Sequence, residues 1–221
     1  MELLYRPLAL GPALAGWVVL LPFALLAARR ELRPLVRARA PEQHAFLAAA
    51  IGCGFLWSLQ IEGGGTRFAM LGGPLAALLL GRERAILALL AALAGHTALA
   101  GGAWANFGAN GVLLALAPAW LVTALQRQIE KRLPRNLFVF IIGNGLAATL
   151  VTLACTALAL QAAAVATIAP AAARADTVAY ALLLSWAEAL VSGMIFSSLV
   201  IFVPDVVRTY RQDVYLPRRG G

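Results

Sequence analysis

The sequence predicts an all-α, polytopic membrane bundle of about seven transmembrane helices, with the N-terminus outside and the C-terminus in the cytoplasm. Three observations predict it. Of the 221 residues, 62% are hydrophobic and only 13% charged, about half the charged share of an ordinary soluble domain, and mean hydropathy is +0.82. The apolar residues come in continuous runs rather than in the short alternating segments of an outer-membrane barrel. The basic residues cluster in short segments between those runs. These features exclude a disordered chain, a disulfide scaffold and a soluble enzyme domain.

Apolar runs read against charge and Gly/Pro punctuation give helices over 8–28, 43–60, 67–81, 85–100, 108–126, 137–168 and 177–203. The first run is followed, not preceded, by its positive charges, so it reads as a retained helix and not a cleaved signal. Helices three and four are joined only by Gly81-Arg82-Glu83-Arg84. Helix six spans some 32 residues, about 48 Å against a hydrocarbon core of about 30 Å. It must tilt, break or emerge, and its Ala-rich end over 161–173 suggests emergence on the outer side. The Gly/Asn-rich stretch from Gly101 to Asn110 reads either as an external loop with Trp104 at the interface or as a re-entrant segment.

Orientation follows from the basic residues. Fifteen of the 18 fall on one side: the Arg29–Arg39 segment, Arg82 and Arg84, the Arg127–Arg135 segment, and the tail from Arg208 to Arg219. Only Arg6, Arg67 and Arg174 fall on the other. The positive-inside rule makes the richer side cytoplasmic. The whole chain, 1–221, reads as a single integral membrane domain, a bundle over 1–205 and a cytoplasmic tail over 206–221. The net charge of +8 is topological, so nucleic acid is not an expected partner, whereas membrane lipid is.

Enzymatic motifs are missing. The sequence has no nucleotide-binding G-x-x-x-x-G-K-[ST] and no zinc-binding H-E-x-x-H, so the chain reads as a non-enzyme. Cys53 and Cys155 sit inside apolar runs and read as reduced core residues. Glu188 lies about eleven residues into the last helix, where a carboxylate is expensive unless it faces a cavity or a donor. Asn144 or Asn110 could be that donor, and a plain helix-packing hydrogen bond is the alternative. Glu62, before Gly63-Gly64-Gly65, belongs to the outer face and could attract a cation or simply be solvated. His96 lies near the outer end of helix four; imidazole suits nickel, cobalt, copper or zinc. With Glu62, Asn106 and the N-terminal amine it could make a site, or it could be a buried, hydrogen-bonded histidine. His44 reads as interfacial, and Met70 and Met194 as apolar packing.

The order of these segments resembles the CbiM/NikM-type membrane proteins, the substrate-capturing subunits of energy-coupling-factor transporters for cobalt and nickel, in a divergent proteobacterial branch. The resemblance runs from Glu42 to Leu216. It rests on Gly64-Gly65-Thr66-Arg67-Phe68-Ala69-Met70-Leu71-Gly72-Gly73, on Phe107-Gly108-Ala109-Asn110, on Glu130-Lys131-Arg132-Leu133-Pro134-Arg135, on Trp186-Ala187-Glu188-Ala189 and on the tail from Tyr210. It implies a bacterial inner-membrane permease component that works with an energy-coupling transmembrane subunit and ATPase subunits. No resident cofactor is implied; a divalent metal ion would be the substrate. In that family the initiator amine, the histidine after it and the histidine of the glycine-rich segment bind the metal. Here those two histidine positions hold Glu2 and Ala69, so the nitrogen-rich site cannot form as such. The implied substrate-binding set becomes Met1, Glu2, Glu62, His96, Asn106, Asn110 and Glu188, with Met1, Glu2, Glu62 and His96 as metal ligands. The alternative is a non-transporting binding or assembly subunit of a larger bacterial membrane complex.

Overall fold

A computed structural model describes residues 8–63, 66–134, 136–167 and 175–210. Its seven helical passages follow the apolar runs. Helix α1 covers Leu10–Val36, α2 Ala40–Ser58, α3 Gly73–Leu80 and α4 Arg82–Leu99. Helix α5 runs over Trp104–Arg132, and α7 over Ala175–Phe202. Helix α6 passes from Leu137–Val139 through a π-helical stretch, Phe140–Ala148, into Thr149–Thr167. Four of them, α1, α5, α6 and α7, are long and apolar enough to cross a membrane on their own.

The third passage departs from the expected continuous helix over 67–81. Strands β1, Gln60–Gly63, and β2, Thr66–Ala69, form an antiparallel hairpin that pairs Glu62 with Arg67. Only then does α3 begin, and its eight residues rise about 12 Å, less than half of a hydrocarbon core. The cause lies in the sequence. Gly72 adopts φ +67°, Gly73 and Pro74 follow it, and Gly81 at φ +78° ends the helix. Left-handed glycines and a first-turn proline are strong boundary signals. Helix α3 is nearly all buried and packs against α4, α5 and α7, with fully buried Leu78, Leu89 and Val122 around it.

The Gly101–Asn110 stretch is neither a long external loop nor an unwound segment. Gly101 turns the chain at φ +67°. A 3₁₀ turn, Trp104–Asn106, starts α5, and a π-helical stretch, Val112–Leu116, follows within it. The glycines serve close packing. A Cβ on Gly108 would lie 2.5 Å from the Trp17 backbone nitrogen, and one on Gly16 would collide with the backbone of Ala109. Helices α1 and α5 therefore meet backbone to backbone, as small-residue pairs allow in membranes. Of the two cysteines, Cys53 is buried as expected, but Cys155 is exposed on α6. An all-apolar helix gives no sequence contrast between the face it shows to lipid and the face it packs.

Ion pairs gather at the arginine-rich end of the bundle. The buried Arg84 guanidinium donates to Glu31 at 2.7 Å and to Glu42 at 2.5 Å, and Arg208 reaches Glu31 at 3.0 Å. After α7 the chain folds back beneath α3. The Arg208 N–H donates to the Leu79 carbonyl at 2.8 Å, and the Thr209 hydroxyl donates to the Leu78 carbonyl. These donors satisfy carbonyls that the early end of α3 leaves open.

Candidate functional site

A helix that starts inside the membrane presents backbone N–H groups and a positive dipole end where no water can meet them. Glu188, about half-way along α7, meets the chain at the N-cap of α3 and one residue before it. Its Oε2 accepts the Leu71 N–H at 2.8 Å and its Oε1 accepts the Gly72 N–H at 2.6 Å. The residue is only 4% exposed. The donors are thus backbone groups of the glycine-rich segment, not the side chains of Asn144 or Asn110. Asn144 is fully buried in the π-helical stretch of α6, and neither atom of its amide has a hydrogen-bond partner among the described residues.

The segment is held from its other side as well. The Trp57 indole N–H donates to the Leu71 carbonyl at 2.9 Å, and the His96 ring stands edge-on to that indole, centroids 6.3 Å apart. His96 Nδ1 lies 3.4 Å from the Ser58 hydroxyl, and the ring also hydrogen-bonds the backbone of Gly54. His96, Trp57, Leu71 and Glu188 are therefore contiguous across α4, α2, the glycine-rich segment and α7. Beside His96, between α2 and α4, runs a groove of about 390 Å³.

Next to Glu188 is a narrow cleft of about 50 Å³ whose walls include Arg67, Ala69, Gln161 and Ser185. The Ser185 hydroxyl donates to the Ala181 carbonyl at 2.8 Å, which leaves its lone pairs as acceptors. The cleft thus brings acceptor lone pairs of Ser185 and Glu188 together with the donor groups of Arg67 and Gln161. Asn106 and Asn110 lie apart from it, one turn apart at the buried start of α5. Asn106 Oδ1 accepts the Leu8 N–H at 2.8 Å and so ties the chain just before α1 to the start of α5. Glu62 stands on β1. Met1 and Glu2 lie outside the described residues. Among the described residues, no three His, Cys, Asp or Glu side chains gather to hold a metal.

Sequence reasoning singled out Glu188 but missed Trp57 and the N–H groups of Leu71 and Gly72. The signal was present: Gly72-Gly73-Pro74 reads as a helix start, and a helix start at membrane depth calls for an acceptor.

A family model for the cobalt uptake substrate-specific transmembrane region, CbiM, matches residues 7–206. The chain belongs to the CbiM family. Two solved structures share the fold of this CbiM-family chain. One, described as a truncated transition metal transporter, aligns at TM-score 0.69 and 18% identity over 89% of this chain and 98% of its own. The other, described as a transition metal transporter, aligns at 0.67 and 18% over 88% and 92%. No curated protein matches the CbiM-family chain in sequence. Membership makes it a multi-pass membrane component of a metal-uptake family and not an enzyme.

Proposed function

We propose that this CbiM-family chain is the substrate-capturing membrane subunit of an energy-coupling-factor transporter of the bacterial inner membrane. It takes a divalent metal ion from the outer side and works with an energy-coupling transmembrane subunit and ATPase subunits. Family membership over 7–206 is the observation that carries this reading. The Leu8–Asn106 hydrogen bond supports it, because it holds Leu8 beside the buried start of α5.

The proposed ligands are the Met1 amine and the carboxylates of Glu2 and Glu62, with His96 as the single imidazole. Asn106, Asn110 and Glu188 complete the proposed substrate-binding set. Two carboxylates in place of two imidazoles make the site harder, with less preference for nickel or copper over other divalent ions. A second reading, a non-transporting binding or assembly subunit, draws support from Glu2 and Ala69 at the positions of the family's histidines. Affinity purification from native membranes, with elemental analysis of the product, separates the two. Co-purified ATPase subunits with bound metal support transport, whereas unrelated partners without metal overturn it.

A further inference from the structure

Helix α1 and its C-cap carry Arg29, Arg33 and Arg37 at four-residue spacing, all exposed. None makes an ion pair among the described residues, in contrast to Arg30, Arg82, Arg84 and Arg208. At 3.6 residues per turn, positions four apart share one side of a helix. Leu25 lies one such step before Arg29, and Val18 eleven residues before it points the same way. Both are exposed, as are Leu32 and Val36 between and beside the arginines. The arginine row is therefore the continuation of the apolar face that α1 turns away from the bundle.

The level of this row in the bilayer follows from length. Counted from Leu10, about 20 residues cross the hydrocarbon core, so Arg29 stands at its cytoplasmic boundary. Arg33 and Arg37 then lie about 6 and 12 Å further along the axis, Arg33 at head-group depth and Arg37 just beyond it, within reach of its long side chain. Flexible arginine side chains reach polar layers while their methylenes stay on apolar surface. Three guanidiniums without ion-pair partners among the described residues, continuing an exposed apolar helix face, match an amphiphile with a negative head and an apolar tail. A guanidinium pairs well with phosphate oxygens because its N–H fork binds two at once.

We propose that the outer face of α1 is a binding site for an anionic phospholipid of the cytoplasmic leaflet, its phosphate held by Arg29, Arg33 and Arg37 and its tail along Leu25 and Val18. The site is independent of the metal reading. It is tested by measuring lipid retention on the detergent-purified full chain by native mass spectrometry, with phosphatidylglycerol, cardiolipin and phosphatidylcholine offered in turn. The wild type should retain the two anionic lipids in preference to phosphatidylcholine. Attraction of a basic side chain to an anionic surface is worth about fivefold in affinity, so the triple substitution Arg29→Gln, Arg33→Gln, Arg37→Gln should weaken retention roughly a hundredfold. Removing the same charge from the other basic end, with Arg127→Gln, Lys131→Gln and Arg132→Gln, should leave it nearly unchanged. Replacing the three α1 arginines by lysine should keep most of the binding and guards against misfolding of the glutamine triple. Equal losses in both glutamine triples would overturn the site in favour of bulk charge. No preference for anionic lipid, or retention unaffected by the α1 triple, would overturn it too and leave the row to an acidic protein partner.

Discussion

Glu188 and Gly72 are 116 positions apart in sequence, yet a carboxylate oxygen of one accepts the backbone N–H of the other at 2.6 Å. The contact joins the last helix to the start of the half-helix α3, and it explains why a carboxylate is retained at mid-bilayer. It answers a backbone need that the early break in the third passage creates. The same contact fixes the glycine-rich segment whose Ala69 lines the adjoining cleft.

Substitution of Glu188 should separate shape from charge. Glu188→Gln keeps one acceptor oxygen, so one of the two N–H groups stays bonded, whereas Glu188→Leu strands both. Each buried donor left unpaired costs about 1–3 kcal/mol, and thermal midpoints in detergent should fall in the order wild type, Gln, Leu. Equal midpoints for all three would contradict the capping role.

The α1–α5 crossing should tolerate nothing larger than glycine at its centre. Gly108→Val places methyl groups in the backbone of Trp17, and overpacking of this kind costs about 1–3 kcal/mol or more. At Gly11 nothing lies within 4 Å of an added Cβ, so Gly11→Val should be nearly neutral. Folded yield and melting temperature of the two variants give the comparison.

At the arginine-rich end, Arg84→Met should cost more than Arg208→Met. Arg84 is 5% exposed and serves both Glu31 and Glu42, whereas Arg208 is an exposed second partner of Glu31. Loss of one member of a buried pair costs about 3–5 kcal/mol, and the partial exposure of Glu42 puts Arg84 near the low end. Exposed pairs are worth about 1 kcal/mol or less. Denaturation in mixed micelles measures the gap.

Sidedness is open to the same direct treatment. Reporter fusions after residue 126 and at the C-terminus should read cytoplasmic, and fusions near residues 62 and 173 should read external. A C-terminus on the outer side would reverse the sense of every passage.

Helix number was legible because it depends on hydropathy, which composition records directly. The break in the third passage was harder to read. The run over 67–81 is apolar whether it forms strand, turn or helix, and only Gly72-Gly73-Pro74 marks the start of α3. Cys155 was misjudged because lipid and protein interior select the same side chains. Glu188 could be recognised from its depth alone, but its partners are backbone amides, which no residue type announces. The π-helical stretches on α5 and α6 left no pattern either, since they alter hydrogen bonding and not composition.

Metal binding tests the account most directly. Isothermal titration of nickel, cobalt and manganese into detergent-purified protein, with Met1 free and no tag before it, should show weak binding with little selectivity. Blocking the amine with an N-terminal extension should abolish it, and Ala69→His should raise nickel affinity. Tight nickel binding that survives both the extension and His96→Ala would contradict the mixed ligand set. No binding of any divalent ion to the wild type would contradict metal capture itself.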